Sequence, residues 1–271
     1  MNTNRRILHL CTIAIAAAAG LAMAAGAGAG PVTSLAVEPT ELVLVGATNG
    51  AFMIRNPTEH PIPLKASIGN YAIKRNGTVV VNPRVAPKGS AKQWLTIAPK
   101  SFTLKPHTSA QLKVRSHPGR RAGPGDHHAL VLLATVPSGK SRVLVKTRVA
   151  VAVLVRVSGK IKREFVIGGL SAARRRHQLR LVVKNAGNIN ERLPVRSVTV
   201  AIKHGRRVVQ TLRAPARDIL PHSGTVYRLP YRASLRGKMT ATVTVRPVNG
   251  SAAGPLAPPL KPVKKTFRVR F

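Results

Sequence analysis

Between Val143 and Val157 every odd-numbered residue is valine except Thr147, while the even positions read Leu144, Lys146, Arg148, Ala150, Ala152, Leu154 and Arg156. Successive side chains of an extended chain point to opposite faces, so this register writes one continuous aliphatic face and one mixed face. At about 3.3 Å per residue such a strand spans roughly 50 Å. That exceeds the usual five or six residues. The run therefore either bends between two sheets and leads into a second domain, or projects beyond its domain as a partner-binding strand.

The rest of the chain agrees with a β fold. Valine is stiff at its first side-chain torsion and favours strands, and 21 prolines and 22 glycines supply turns. Aromatics make up only 3%, so valine and alanine must do most of the packing. "SLAVEPTELVLV" reads as one broken edge strand, Asn49-Gly50 as a turn, "AFMIRN" as a strand, and Asn76-Gly77 as a tight two-residue hairpin. "WLTIAP", "SFTLKPHTSAQLKVRS" and "DHHALVLLATVP" complete the series before the valine run.

After Val157 a second series begins: "EFVIGGL", "HQLRLVVKN", "RSVTVAIKHG", "RRVVQTLRA", "TVYRLPYR", "KMTATVTVRP" and "KKTFRVRF". Seven strands suit one immunoglobulin-like domain. "VNGSAAGPLAPPLKP" between the last two is expected to be a flexible excursion or an exposed connection. The halves align in outline: "FMIRNPT" (52 to 58) matches "LVVKNAG" (181 to 187), and Pro106-His107-Thr108 matches Pro221-His222-Ser223. The expected fold is all-β, two tandem immunoglobulin-like β-sandwich domains at 31–157 and 158–271, after a signal peptide at 1–30. That leader has Arg5 and Arg6, then "ILHLCTIAIAAAAGLAMA", then small residues before Pro31. It contains the only cysteine, Cys11, so no disulfide or thiolate metal site is expected in the exported chain.

Forty-five Lys and Arg against seven acids give a net charge of +38. The excess cations must face water or an anionic partner, because an isolated buried charge is costly. Acidic wall polymer and anionic membrane lipid are the polyanions an exported protein meets. Nucleic acid is not expected, since stacking platforms need aromatics beside the cations. The densest basic cluster is "AARRRHQLR", where Arg174, Arg175, Arg176 and Arg180 form a candidate anion-binding patch.

Catalysis finds no support. Of the acids only Glu38 and Glu41 are close in sequence, and they flank Pro39 at a strand break. Nucleophile and phosphate-loop signatures are absent, so no catalytic residue, cofactor or small-molecule substrate is expected. Asp126, His127 and His128 lie together at a strand entry, where neighbours point to opposite faces and cannot jointly grip one metal ion. His107 and His222 share a turn position and read as local turn residues.

"SLAVEPTELVL", "FMIRNPTEHPIPLKASI", "WLTIAPKSFTLKPHTSAQLKVRS", "GDHHALVLL" and "RVLVKTRVAVAVLV" occur in that order over 34–157. In this order they resemble the N-terminal immunoglobulin-like domain of periplasmic pilus-assembly chaperones (PapD-like). They are also similar to two-sandwich surface proteins of Gram-positive bacteria. The resemblance implies that the long closing strand lends an edge to an incomplete client, and that Lys146 matches the family's anchoring lysine. The family's arginine in the first strand has no counterpart here. Strand pairing itself needs no such anchor. The expected function is thus an exported, non-enzymatic chaperone-like or adaptor module binding another cell-surface or secreted protein through Val143, Val145, Lys146, Arg148, Val149 and Val151. The alternative is a polycationic envelope protein with no specific client.

Overall fold

A computed structural model describes residues 35–136 and 147–271. The expected signal peptide with Cys11, and the candidate residues Val143, Val145 and Lys146, lie outside the described residues.

The first half forms β1 (Ala36–Glu38), β2 (Glu41–Val45), β3 (Asn49–Arg55), β4 (Ile62–Gly69), β5 (Tyr71–Ile73), β6 (Val79–Val81), β7 (Leu95–Ala98), β8 (Ser101–Leu104), β9 (Ser109–Ser116), β10 (Gly125–Thr135) and β11 (Arg148–Val157). One sheet runs β1-β3-β9-β7 and the other β2-β11-β10-β4-β8. Alternation buries one row from each strand. Phe52 and Ile54 of β3 and Leu112 and Val114 of β9 share a core with Val131 and Leu133 of β10 and Val151, Val153 and Val155 of β11.

The second half forms β12 (Phe165–Ala173), β13 (Gln178–Asn185), β14 (Glu191–Leu193), β15 (Val198–His204), β16 (Arg207–Arg213), β17 (Arg217–Ile219), β18 (Gly224–Pro230), β19 (Lys238–Val245) and β20 (Val263–Arg270). Sheet β12-β13-β18 shares a core with sheet β16-β15-β19-β20. Leu179, Leu181, Val183, Val200, Ile202 and Tyr227 lie at its centre. The described chain is two β-sandwiches.

Three local expectations change. "SLAVEPTELVLV" is split between sheets: β1 pairs antiparallel with β3, whereas β2 pairs parallel with β11. Proline has no N–H to continue a ladder, and Pro39 lies at this transfer. Asn49-Gly50 is no turn; it opens β3 opposite Arg115 and Val114. A Cβ on Gly50 would lie 2.5 Å from Leu44 Cδ2, so any larger residue there would push the Leu44 side chain aside. The β5–β6 hairpin turns through Arg75-Asn76-Gly77, with Lys74 N–H bonded to the Thr78 carbonyl and Gly77 N–H to the Lys74 carbonyl. Gly77 at φ +88 makes it a three-residue loop rather than a two-residue one.

The two sequence pairs shared between the halves belong to one device, built twice. Lys105-Pro106-His107-Thr108 and Leu220-Pro221-His222-Ser223 are turns with His107 at φ 54 and His222 at φ 55. Proline followed by a residue of positive φ is the type II arrangement. Thr108 and Ser223 close the turns through hydroxyl bonds of 2.8 and 2.7 Å to the Lys105 and Leu220 carbonyls. The asparagine just after β3 or at the end of β13 then clamps each turn. Asn56 Nδ2 donates to the carbonyls of His60, Leu104 and Lys105 at 2.7, 3.2 and 3.2 Å. Asn185 Nδ2 donates to those of Ile189, Ile219 and Leu220 at 2.8, 3.0 and 3.4 Å. Both side chains are buried.

Candidate functional site

Strand β11 pairs with β10 along Arg148–Val157 but with β2 only from Ala152 to Arg156. The Ala152 N–H bonds to the Thr40 carbonyl, so even-numbered main-chain groups of β11 face β2 and odd-numbered ones face β10. Arg148 and Ala150 consequently point their N–H and C=O into the row that β1 vacated when it joined the other sheet, and no described strand pairs with them there. Arg148 and Ala150 are exposed, Val149 is half-buried and Val151 is fully enclosed in the core. Val149 and Val151 therefore line the interior side of this open row, and Arg148 its outer side.

At the other end of β11 the two sandwiches meet through acids the sequence left unassigned. Asp126, opposite Arg156 in the β10–β11 ladder, takes the Arg156 Nε and Nη2 at 2.6 and 2.8 Å and the Asn190 N–H at 2.7 Å. Arg163 grips Glu191 at 2.6 and 2.8 Å. Each of these side chains is no more than 2% exposed. Both arginines also hold the loop at 248–262: Arg163 donates to Val248 O, Asn249 Oδ1 and Pro258 O, and Arg156 to Pro255 O. This stretch, expected to be a flexible excursion or an exposed connection, is exposed at most of its described residues yet pinned by two buried guanidiniums. Nearby, Arg192 bridges Glu41 at 2.8 Å and Asp218 at 3.4 Å. Burial raises the Glu41 carboxyl above its usual range, against the pull of Arg192.

Asp126, His127 and His128 do not converge. Asp126 turns to Arg156 while the His127 ring packs against Trp94, tilted by 57° at 4.5 Å. His128 is buried edge-on to Tyr71, at 5.0 Å. Burial, with the neighbouring His127 adding to it, pushes the His128 imidazole from 6.5 down to about 4. A depressed histidine contributes stability that is complete above its unfolded value and is lost as pH falls from about 6.5 through about 4. The shift corresponds to about 3 kcal/mol. Chemical denaturation at pH 7 and pH 4 should show this loss, and His128→Phe should remove most of the difference.

The basic cluster is divided. Arg174, Arg175 and Arg176 form an exposed 3-10 turn between β12 and β13, where Arg174 donates to the Arg270 carbonyl. Arg180 lies on the outer face of β13 directly opposite Arg228 of β18.

Two solved structures share this architecture. The YadV chaperone matches at a TM-score of 0.51 with 10% identity, covering 86% of this chain and 98% of its own. A chain of the chaperone–tip adhesin complex of CFA/I fimbriae biogenesis matches at 0.50 with 8% identity, over 86% and 98%. The fold is that of the periplasmic pilus chaperones. No family model and no curated protein matches the sequence. The sequence resemblance ran only to Val157, whereas the chaperone fold extends over both sandwiches. Glu191 and Arg163, which join and brace the sandwiches with Asp126, carried no motif of their own, and Asp126 was read only with His127 and His128 at a strand entry. Their only signal was scarcity: in a chain of +38, five of the seven acids pair with Lys or Arg, and a sixth, Glu59, meets His107.

Proposed function

We propose that this chain is an exported, non-enzymatic chaperone-like or adaptor module that captures an extended segment of another cell-surface protein along β11. The carrying observation is the open row beside Arg148–Val151, where Arg148 and Ala150 offer main-chain donors and acceptors. An incoming strand would gain ladder bonds there and place alternate side chains over Val149 and the edge of the core. Lys146, Val145 and Val143 would extend the same surface, and the domains would divide at 157/158.

The test is a substitution that disables pairing without unfolding the domain. Ala150→Pro removes an N–H facing the open row, whereas Val149→Pro would remove one that serves β10. Combined with Lys146→Glu, Ala150→Pro is expected to reduce capture of the partner from envelope extract by about tenfold or more, the loss of one main-chain bond and of the Lys146 charge. Undiminished capture by the folded variant would contradict the assignment. The alternative, retention on the envelope by charge alone, predicts release by high salt and indifference to Ala150→Pro.

A further inference from the structure

The β5–β6 hairpin reaches across to the second sandwich. The Arg75 carbonyl accepts the Val226 N–H at 2.6 Å and the Thr225 hydroxyl at 3.1 Å. This fixes the hairpin tip against the free edge of β18 and leaves two adjoining hollows beside it. One, of about 340 Å³, is lined by Lys74, Arg75, Asn76, Arg180, Val226 and Arg228. The other, of about 580 Å³, is bordered by Arg75, Lys184, His222 and the end of β13. Arg75 belongs to both, and no acid lines either. Arg180 and Arg228 stand directly opposite each other in the ladder, a juxtaposition of like charges that costs stability.

We infer that this groove, rather than the Arg174–Arg176 turn, is a binding site for an extended phosphate polyanion, a phosphodiester-linked chain. Arg180 and Lys184 are four residues apart on one face of β13, about 13 Å, so anionic groups in succession can meet the two ends with Arg75 between. The lining favours a ligand that only accepts hydrogen bonds. Five of its side chains, Lys74, Arg75, Arg180, Lys184 and Arg228, only donate, and Asn76 Oδ1 and Asn185 Oδ1 already accept the Thr78 and Gly187 N–H. An acidic peptide would bring main-chain N–H groups for which these cations hold no acceptor. A phosphodiester brings none. The planar guanidinium forks of Arg75, Arg180 and Arg228 also match phosphate oxygens.

The probe is soluble inorganic polyphosphate, titrated near 0.15 M salt. Arg180→Ser with Arg228→Ser is expected to weaken binding about tenfold or more, while Arg206→Ser with Arg207→Ser, the same charge loss on the β15–β16 turn, changes it less than about twofold. Polyphosphate should raise the melting temperature of the wild type but not of the R180S/R228S variant. The unliganded variant should melt no lower than the wild type, since it loses a repulsion. Ala150→Pro should leave binding unchanged, which separates this site from the strand edge. Equal losses in the two double variants, or polyglutamate binding as tightly as polyphosphate, would overturn the assignment.

Discussion

Replacing Asp126 by alanine is expected to destabilise the protein by about 4 kcal/mol, the range for stranding one member of a buried ion pair. The carboxylate accepts two guanidinium bonds from Arg156 and the Asn190 N–H. Without it the Arg156 charge stays enclosed with only the Pro255 carbonyl as partner. Because the same oxygen that holds Arg156 also holds Asn190, the loss should be felt at the junction of the sandwiches. Urea unfolding should show a lowered midpoint and, if the sandwiches part company, a split transition. Asp126→Leu combined with Arg156→Met should recover at least half the loss, since apolar replacement of both partners removes the stranded charge. A double variant as unstable as D126A would show that the pair's own bonds carry the stability.

The second large effect lies at the paired asparagines. Asn185→Ala strips three buried carbonyls of their common donor and the Gly187 N–H of its acceptor. The Leu220 carbonyl keeps the Ser223 N–H and hydroxyl; at roughly 1–3 kcal/mol for each of the other buried groups, partly relieved by relaxation, the expected cost is about 4 kcal/mol. Asn56→Ala should behave alike in the first sandwich. Asn185→Asp is the sharper test. It keeps an oxygen for Gly187 but turns a second oxygen towards three carbonyls, so at pH 7 it should be less stable than Asn185→Ala. Thermal melts of the two variants decide this; the reverse order would mean that Nδ2 contributes little.

The β content was legible because period-two valine, isoleucine and threonine runs have few other physical solutions. All seven strands expected after Val157 form, and the run ending at Val157 is confirmed as strand from Arg148 onward. Strands β14 and β17 escaped notice, being three residues long and without alternation. The repeated Asn and Pro-His motifs were visible, but their joining was not, because Asn185 meets Leu220 across 35 residues. Arg156 sat on the mixed face of an alternating strand, where arginine reads as exposed. Its burial depends on Asp126, 30 residues earlier, and no local pattern announces such a partner. The division of "SLAVEPTELVLV" between two sheets was hidden for the same reason. A strand break is visible in Pro39, but which neighbour each half finds is settled by the whole sandwich.

The open row along β11 is tested most directly by amide hydrogen exchange on the isolated complex with its captured partner. Arg148 and Ala150 N–H face that row, so they should exchange rapidly in the free protein and become protected on binding. Val149 and Val151, already serving β10, should be slow in both states. Binding that leaves Arg148 and Ala150 as fast as before, with protection appearing on another surface, would contradict strand capture at this edge.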